Sequence, residues 1–160
     1  MEKDAQYSDL LSYDPDTGII KWLVNRGRNA KPGQIAGRLT RNGHRHICVM
    51  QREVYAHRLA WFLVYGEWPS SDLDHVNGDP DDNRIANLRL ATHTQNMTNA
   101  KAKKNSFTGL KGVSPHGRRW VARIRVDGVR QSLGRFDTKE EAAEAYRIAA
   151  DSLHGEFARR

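Results

Sequence analysis

The dipeptide Asp127-Gly128 restricts the fold more than any other feature of this sequence. It separates two runs that alternate apolar and polar residues, Trp120–Val126 and Val129–Phe136, and a two-residue Asp-Gly loop joins antiparallel strands. So short a loop also sets the register: Val126 faces Val129, Arg125 faces Arg130 and Arg123 faces Ser132. Side chains alternate along a strand, so Trp120, Ala122, Ile124 and Val126 share one face and Val121, Arg123 and Arg125 the other. Downstream, Thr138-Lys139-Glu140-Glu141 is a capping box that opens a helix to about Leu153, stopped by Gly155. Ala142, Ala145, Tyr146, Ala149 and Leu153 fall on one face of that helix. The alanines allow close approach to the apolar side of the sheet. Residues 109–160 are therefore expected to form a small three-stranded antiparallel sheet plus one helix. Its other face stacks arginines directly across strands, which costs stability unless a polyanion neutralises them.

Charge is distributed unevenly. Residues 1–100 contain 12 Lys and Arg against 12 Asp and Glu, whereas residues 101–160 contain 14 against 7, so the net +7 lies in the last part of the chain. Such a basic segment most often meets nucleic acid; a solubility surface is the alternative. The polar, basic run Lys101–Thr108 reads as a linker between a domain over 1–100 and the one over 109–160.

Within 1–100, residues 1–70 read as an α+β scaffold leading into a distinct core over 71–100, so the fold class is α+β. Asp14-Pro15-Asp16-Thr17-Gly18 is a turn followed by a strand over Ile19–Trp22. Asn42-Gly43 joins Ala36–Leu39 to His46–Met50 as a hairpin. His57–Tyr65 reads as a short helix carrying Leu59, Phe62 and Leu63 on one side, ended by Gly66. A single cysteine, Cys48, excludes an intrachain disulfide and a cysteine-based zinc site; between Ile47 and Val49 it is expected to be a buried, inert thiol. His44 and His46 share a strand face, but no further ligand stands nearby in sequence, so no metal site is expected there. Arg26-Gly27-Arg28 is scaffold or a minor DNA contact.

The chemistry concentrates in residues 71–100. Asp72-Leu73-Asp74-His75 is a short strand entering a polar turn at Asn77-Gly78. Asn83 to Asn87 is a loop or single helical turn, Leu88–Ala91 a second strand, and Thr92 with Gln95 caps a helix running toward Lys101. Asp74 and His75 point to opposite strand faces, a constraint that the strand's end relaxes. Hydrolysis of a phosphodiester requires a base for water and positive charge for the phosphate and the leaving oxygen. A histidine neutral near pH 7 suits the first task. A hard divalent cation on oxygen ligands suits the second, and Asp74 and Asn96 are oxygen donors. Asn87 is placed to fix the loop and orient His75. His93 is a candidate catalytic residue, as a phosphate contact or leaving-group assistant, or equally a surface helix residue. Arg84 and Arg89 read as partners of Asp79, Asp81 or Asp82.

Two resemblances follow from these residues. His57-Arg58-Leu59-Ala60-Trp61, Leu73-Asp74-His75-Val76-Asn77-Gly78-Asp79, Asp82-Asn83-Arg84-Ile85-Ala86-Asn87-Leu88-Arg89 and Thr92-His93-Thr94-Gln95-Asn96-Met97 resemble, in order and spacing, HNH endonucleases of the phage homing type. That resemblance implies a ββα-metal core, His75 as general base, Asp74 and Asn96 as metal ligands and Asn87 as the middle motif residue. Asparagine rather than histidine at position 96 favours Mg²⁺ or Mn²⁺ over zinc. Lys111-Gly112-Val113, Trp120-Val121-Ala122-Arg123-Ile124-Arg125, Leu133-Gly134-Arg135-Phe136-Asp137-Thr138, Glu141-Ala142-Ala143 and Ala145-Tyr146 resemble the Apetala-type, ethylene-response-factor-like DNA-binding domain. The family implies DNA reading by the sheet, with Lys111, Arg118, Arg119, Trp120, Arg123, Arg125, Arg130 and Arg135 as contacts. Ser114 and His116 replace arginines common in the plant first strand, so base preference does not transfer.

The expectation is a site-preferring, metal-dependent nuclease acting on double-stranded DNA as a monomer, nicking it, with no small-molecule substrate. A DNA-binding regulator with an inactive nuclease module is the alternative, and an RNA-binding or structural protein a weaker one. No apolar run approaches the roughly 20 residues of a membrane helix, and Met1-Glu2-Lys3-Asp4 does not open a secretory signal. A cytoplasmic, nucleoid-associated protein of a bacterial or phage-infected cell is expected.

Overall fold

The computed structural model describes residues 6–100, 107–126 and 128–158. Most of the expected linker (101–106) and Asp127 of the hairpin turn lie outside the described residues. The fold is α+β, and the chain forms two compact units, Met1–Ala91 and Thr92–Arg160.

In the first unit, α1 (Gln6–Leu10) runs into β1 (Leu11–Asp14), which pairs antiparallel with β2 (Ile19–Trp22). The turn between them closes with Gly18 N–H donating to Asp14 O at 2.8 Å. A second sheet orders β3 (Arg38–Leu39), β4 (Arg45–Val49) and β5 (Arg52–Tyr55), and leads directly into α2 (Ala56–Tyr65). Gly66 ends α2 with φ 76°, its N–H donating to Phe62 O. A third pair, β6 (Asp72–His75) and β7 (Leu88–Ala91), is joined by a loop ending in the 3-10 turn Ile85–Asn87. Ile20, Ile47, Val49 and Leu59 are almost wholly enclosed and form the core with Tyr7, Leu11, Trp22, Phe62 and Leu88.

Three scaffold expectations change. The hairpin around Asn42-Gly43 is shorter than expected, with Leu39 opposite Arg45. A further strand, β5, follows through a turn at Met50-Gln51, both of which take positive φ (53° and 61°); neither is a usual residue for such a turn, so the sequence did not announce it. Cys48 is exposed, not buried: with Ile47 and Val49 turned inward, strand alternation turns the residue between them out.

In the second unit, α3 (His93–Asn99) begins at a capping box in which Thr92 and Gln95 bond reciprocally. The three-stranded sheet has β9 (Arg119–Val126) in the centre, between β8 (Val113–His116) and β10 (Val129–Phe136). The β9–β10 register is the one expected from the turn, Val126 facing Val129, Arg125 facing Arg130 and Arg123 facing Ser132. Beyond it an irregularity between Ser132 and Gly134 shifts the pairing, so that Val121 faces Arg135. Helix α4 (Lys139–His154) opens at the Thr138–Glu141 capping box and buries Ala142 and Ala150. Val113, Ala122 and Ala142 form the centre of this core, with Trp120, Phe136 and Tyr146 around it. Leu153, expected on the packed face, is instead 46% exposed. Gly112 makes a close approach: at φ +72°, any Cβ there would overlap the Tyr146 ring. Among the described residues no helix is long and apolar enough to cross a membrane.

Candidate active site

The β6–β7 pair positions the two central residues. Its register sets Asp74 opposite Arg89 and His75 opposite Leu88. Both are buried, Asp74 at 7% and His75 at 6% exposure. Asp74 takes two bonds from Arg89, Nε at 2.9 Å and Nη2 at 2.7 Å, both to Oδ2. The expectation for the arginines holds for Arg84 and is corrected for Arg89. Arg89 pairs across strands with Asp74, while Arg84 holds Asp82 (2.8 and 2.5 Å) and Asp81 is forked by Arg45 at 2.9 Å.

The loop from Val76 to Asn87 is closed by asparagines. Asn87 is buried. Its backbone carbonyl accepts from Val76 N–H at 2.9 Å and its side-chain oxygen from Asn77 N–H at 3.0 Å. Its amide nitrogen donates to Asp82 O at 2.8 Å and to Asn77 Oδ1 at 3.1 Å. One side chain therefore ties both ends of the loop to its middle.

Asn83, which sequence reasoning placed only in the loop, is 2% exposed and touches the base candidate. Its amide nitrogen donates to Asp81 O at 3.0 Å, and its Oδ1 lies 3.4 Å from His75 Nε2. The backbone carbonyl of Asn83 accepts from Tyr13 Oη at 2.8 Å. Gly18 fits against Asn83 and Arg84 only because it lacks a Cβ.

His75 does not stand alone. His57, in the first turn of α2, and His44, just before β4, bring their rings to it, with centroids 5.1 Å and 5.8 Å from that of His75. The ligand atoms of the three lie within 4.8 Å of one another, a grouping that can hold a metal ion. The expectation that no further ligand stood near His44 is thus overturned. Its supposed companion His46 pairs instead with Glu53, at 3.3 Å. Burial keeps all three rings neutral: it lowers the pKa of His44 and His75, and carries His57 down to about 3, with the neighbouring imidazoles adding to the effect for His44 and His57. For His75, the Asn83 bond and nearby carboxylates partly offset burial. The donors present suit a divalent cation: a carboxylate at Asp74, and imidazoles of which two, His44 and His57, bury an Nδ1 atom that has no hydrogen-bond partner.

The other expected site residues lie in the second unit. Asn96 is partly buried and His93 exposed, both on α3. Arg118, Arg119, Arg123, Arg125, Arg130 and Arg135 are exposed. Arg123 and Arg125 alternate with the buried Ala122 and Ile124, so they project from the side of β9 opposite α4. Arg119 is paired with Asp137 at 2.9 Å. Lys111 and Trp120 have partners within the second unit, Trp120 on the apolar face where strand alternation puts it. The Lys111 ammonium donates to the carbonyls of Met97, Thr98 and Ala100 at the end of α3, where a cation also complements the helix dipole. Trp120 packs against the core under α4.

Comparison with known proteins adds the family. The chain is 34% identical over 106 residues to Protein 3.8 of Escherichia phage T7, an alignment covering 64% of this chain and 87% of that protein. It is 33% identical over 104 residues to an uncharacterized HNH endonuclease of Acanthamoeba polyphaga mimivirus, covering 64% of this chain but 54% of the mimivirus protein. A distant match, 32% over 115 residues, is to an AP2-like ethylene-responsive transcription factor of Oryza sativa subsp. japonica, of which it spans 17%. The profile of HNH endonucleases matches residues 54–98, the stretch that carries His57, Asp74, His75, Asn83 and Asn87, and this chain therefore carries an HNH endonuclease domain.

Proposed function

We propose that this endonuclease is metal-dependent and site-preferring, that it hydrolyses phosphodiester bonds of double-stranded DNA, and that it acts as a homing-type nickase. The observation that carries the reading is the contact between His75 and Asn83. Because the Asn83 amide nitrogen donates to Asp81 O, its oxygen is the atom presented to His75. The imidazole then donates through Nε2–H, and Nδ1 carries the lone pair. A buried, neutral histidine with a fixed tautomer is the form a general base needs. His75 takes a proton from water through Nδ1 as the water oxygen attacks phosphorus, and the bond to the leaving oxygen breaks on the opposite side. Asp74 is the residue of the first unit that would hold Mg²⁺ or Mn²⁺, and such a cation supplies positive charge to the phosphate and the leaving oxygen. The family resemblance adds Asn96 as a second oxygen ligand and His93 as a phosphate or leaving-group contact. Asn87 keeps the loop in shape. The arginine face of the second unit supplies DNA grip, with Arg123, Arg125, Arg130 and Arg135 as its main contacts; a ribbon of this kind fits the major groove. One active site per chain suits nicking by a monomer.

The test uses supercoiled plasmid with Mg²⁺ or with EDTA. Wild-type protein is expected to nick only with the metal, and His75→Ala to lose nicking while binding DNA nearly as well. Normal cutting by His75→Ala refutes the assignment, and equal cutting in EDTA refutes metal dependence.

A further inference from the structure

We propose that His44, His57 and His75 form a binding site for a borderline transition-metal cation of the Zn²⁺ and Co²⁺ class, distinct from the oxygen ligand at Asp74. Three separate elements deliver these rings: the turn before β4, the first turn of α2 and the end of β6. Their ligand atoms fall within 4.8 Å of one another. Around an ion with bonds of about 2.0–2.1 Å, tetrahedral nitrogens stand roughly 3.4 Å apart, so modest side-chain rotation closes the set. His57 is 8% exposed, and its Nδ1, like that of His44, is buried without a hydrogen-bond partner. Buried polar nitrogens are nearly always paired, and a cation is the partner that could satisfy both at once. Tyr55 rings the cluster, its centroid 5.6 Å from His44 and 5.2 Å from His57.

Ligand type sets the selectivity. Imidazole suits zinc, cobalt and nickel, whereas Mg²⁺ takes oxygen and keeps its waters. Three histidines leave a fourth position open to water. The site shares His75 with the catalytic reading, and one consequence rests on that reading. A lone pair bound to a cation cannot also accept a proton, so filling the histidine site withdraws the base and stops Mg²⁺-dependent cleavage.

The full chain is titrated with Co²⁺, following its visible absorption, without DNA and without an activity assay. Wild-type protein is expected to bind one Co²⁺ per chain, displaceable by Zn²⁺. His44→Gln and His57→Phe, the latter keeping a ring in the buried space, are expected to weaken binding beyond the roughly 10–100-fold typical of losing a mere supporting group. Circular dichroism verifies folding, and Asp74→Asn is expected to keep the signal. No absorption with wild-type protein overturns the site. So does wild-type affinity in a folded His44→Gln, or a signal lost in a folded Asp74→Asn. The inhibitory consequence is checked separately, by nicking at Zn²⁺ concentrations that saturate the absorption signal. Undiminished nicking there, together with an inactive His75→Ala, overturns the inhibition while leaving the endonuclease reading in place.

Discussion

Asn83→Leu is the substitution that isolates tautomer control. Leucine fills nearly the same buried space but removes the oxygen 3.4 Å from His75 Nε2. Taking the acceptor from a buried donor costs about 1–3 kcal/mol. If that energy is what holds the proton on Nε2, its loss converts, at about 1.36 kcal/mol per tenfold, into a fall in kcat of roughly 5- to 150-fold. KM for DNA should stay within about twofold, because the contact acts on the chemical step and not on binding. The substitution also removes the bond to Asp81 O, so a control must loosen the same loop without touching His75. Tyr13→Phe does this by deleting the 2.8 Å bond to Asn83 O; it should lower stability by about 0.5–1.5 kcal/mol and leave kcat near wild type. The assay is single-turnover nicking of plasmid at saturating protein, with thermal melting alongside. Wild-type kcat in Asn83→Leu, or an equal fall in Tyr13→Phe, refutes the reasoning.

Three further outcomes are expected. Arg123→Ala and Arg125→Ala should each weaken DNA binding and flatten the plot of log affinity against log salt by about 1; an unchanged slope removes the sheet from the interface. Gly112→Ala should destabilise the second unit by more than about 1 kcal/mol, since alanine is strained at positive φ and would meet Tyr146 there; hydrogen exchange should show the loss in β8–β10 and not in β1–β7. Asp82 should titrate at about 2 by NMR, held down chiefly by its bonds to Arg84. A lowered carboxylate stabilises the fold above the unfolded value, near 3.9, and that contribution is lost as pH falls toward 2. Arg84→Ala should return Asp82 toward the ordinary carboxylate range, and no change would show that Arg84 is not the cause.

What the sequence disclosed was local. A two-residue turn fixes the β9–β10 register, and capping boxes fix where α3 and α4 begin, because each is decided within four residues. The pairing of Asp74 with Arg89 was hidden because the register of β6 and β7 depends on a long loop, whose closure by Asn87 and Asn83 has no fixed length. The histidine cluster was hidden for a stronger reason. His44, His57 and His75 have no shared period, and only the packing of a hairpin, a helix and a strand brings them together. Period-two reasoning set His44 beside His46 on one strand, whereas β4 begins only at Arg45, and it could not supply the partners from α2 and β6. The exposure of Cys48 was within reach: Ile47 and Val49 are both fully buried, and alternation then requires the thiol to face outward.

The bond from Tyr13 to Asn83 spans 70 positions of the chain. Burial pushes this phenol up to about 12, so it remains a donor at every pH where the protein is useful. The family profile begins at residue 54, yet the loop beside His75 leans on a hydroxyl from β1 and on the bare backbone of Gly18. The familiar segment is therefore not a portable cassette. Grafted onto another protein, it would arrive without that hydroxyl bond and without the glycine against which the loop closes, and a stable transplant has to carry the first hairpin with it.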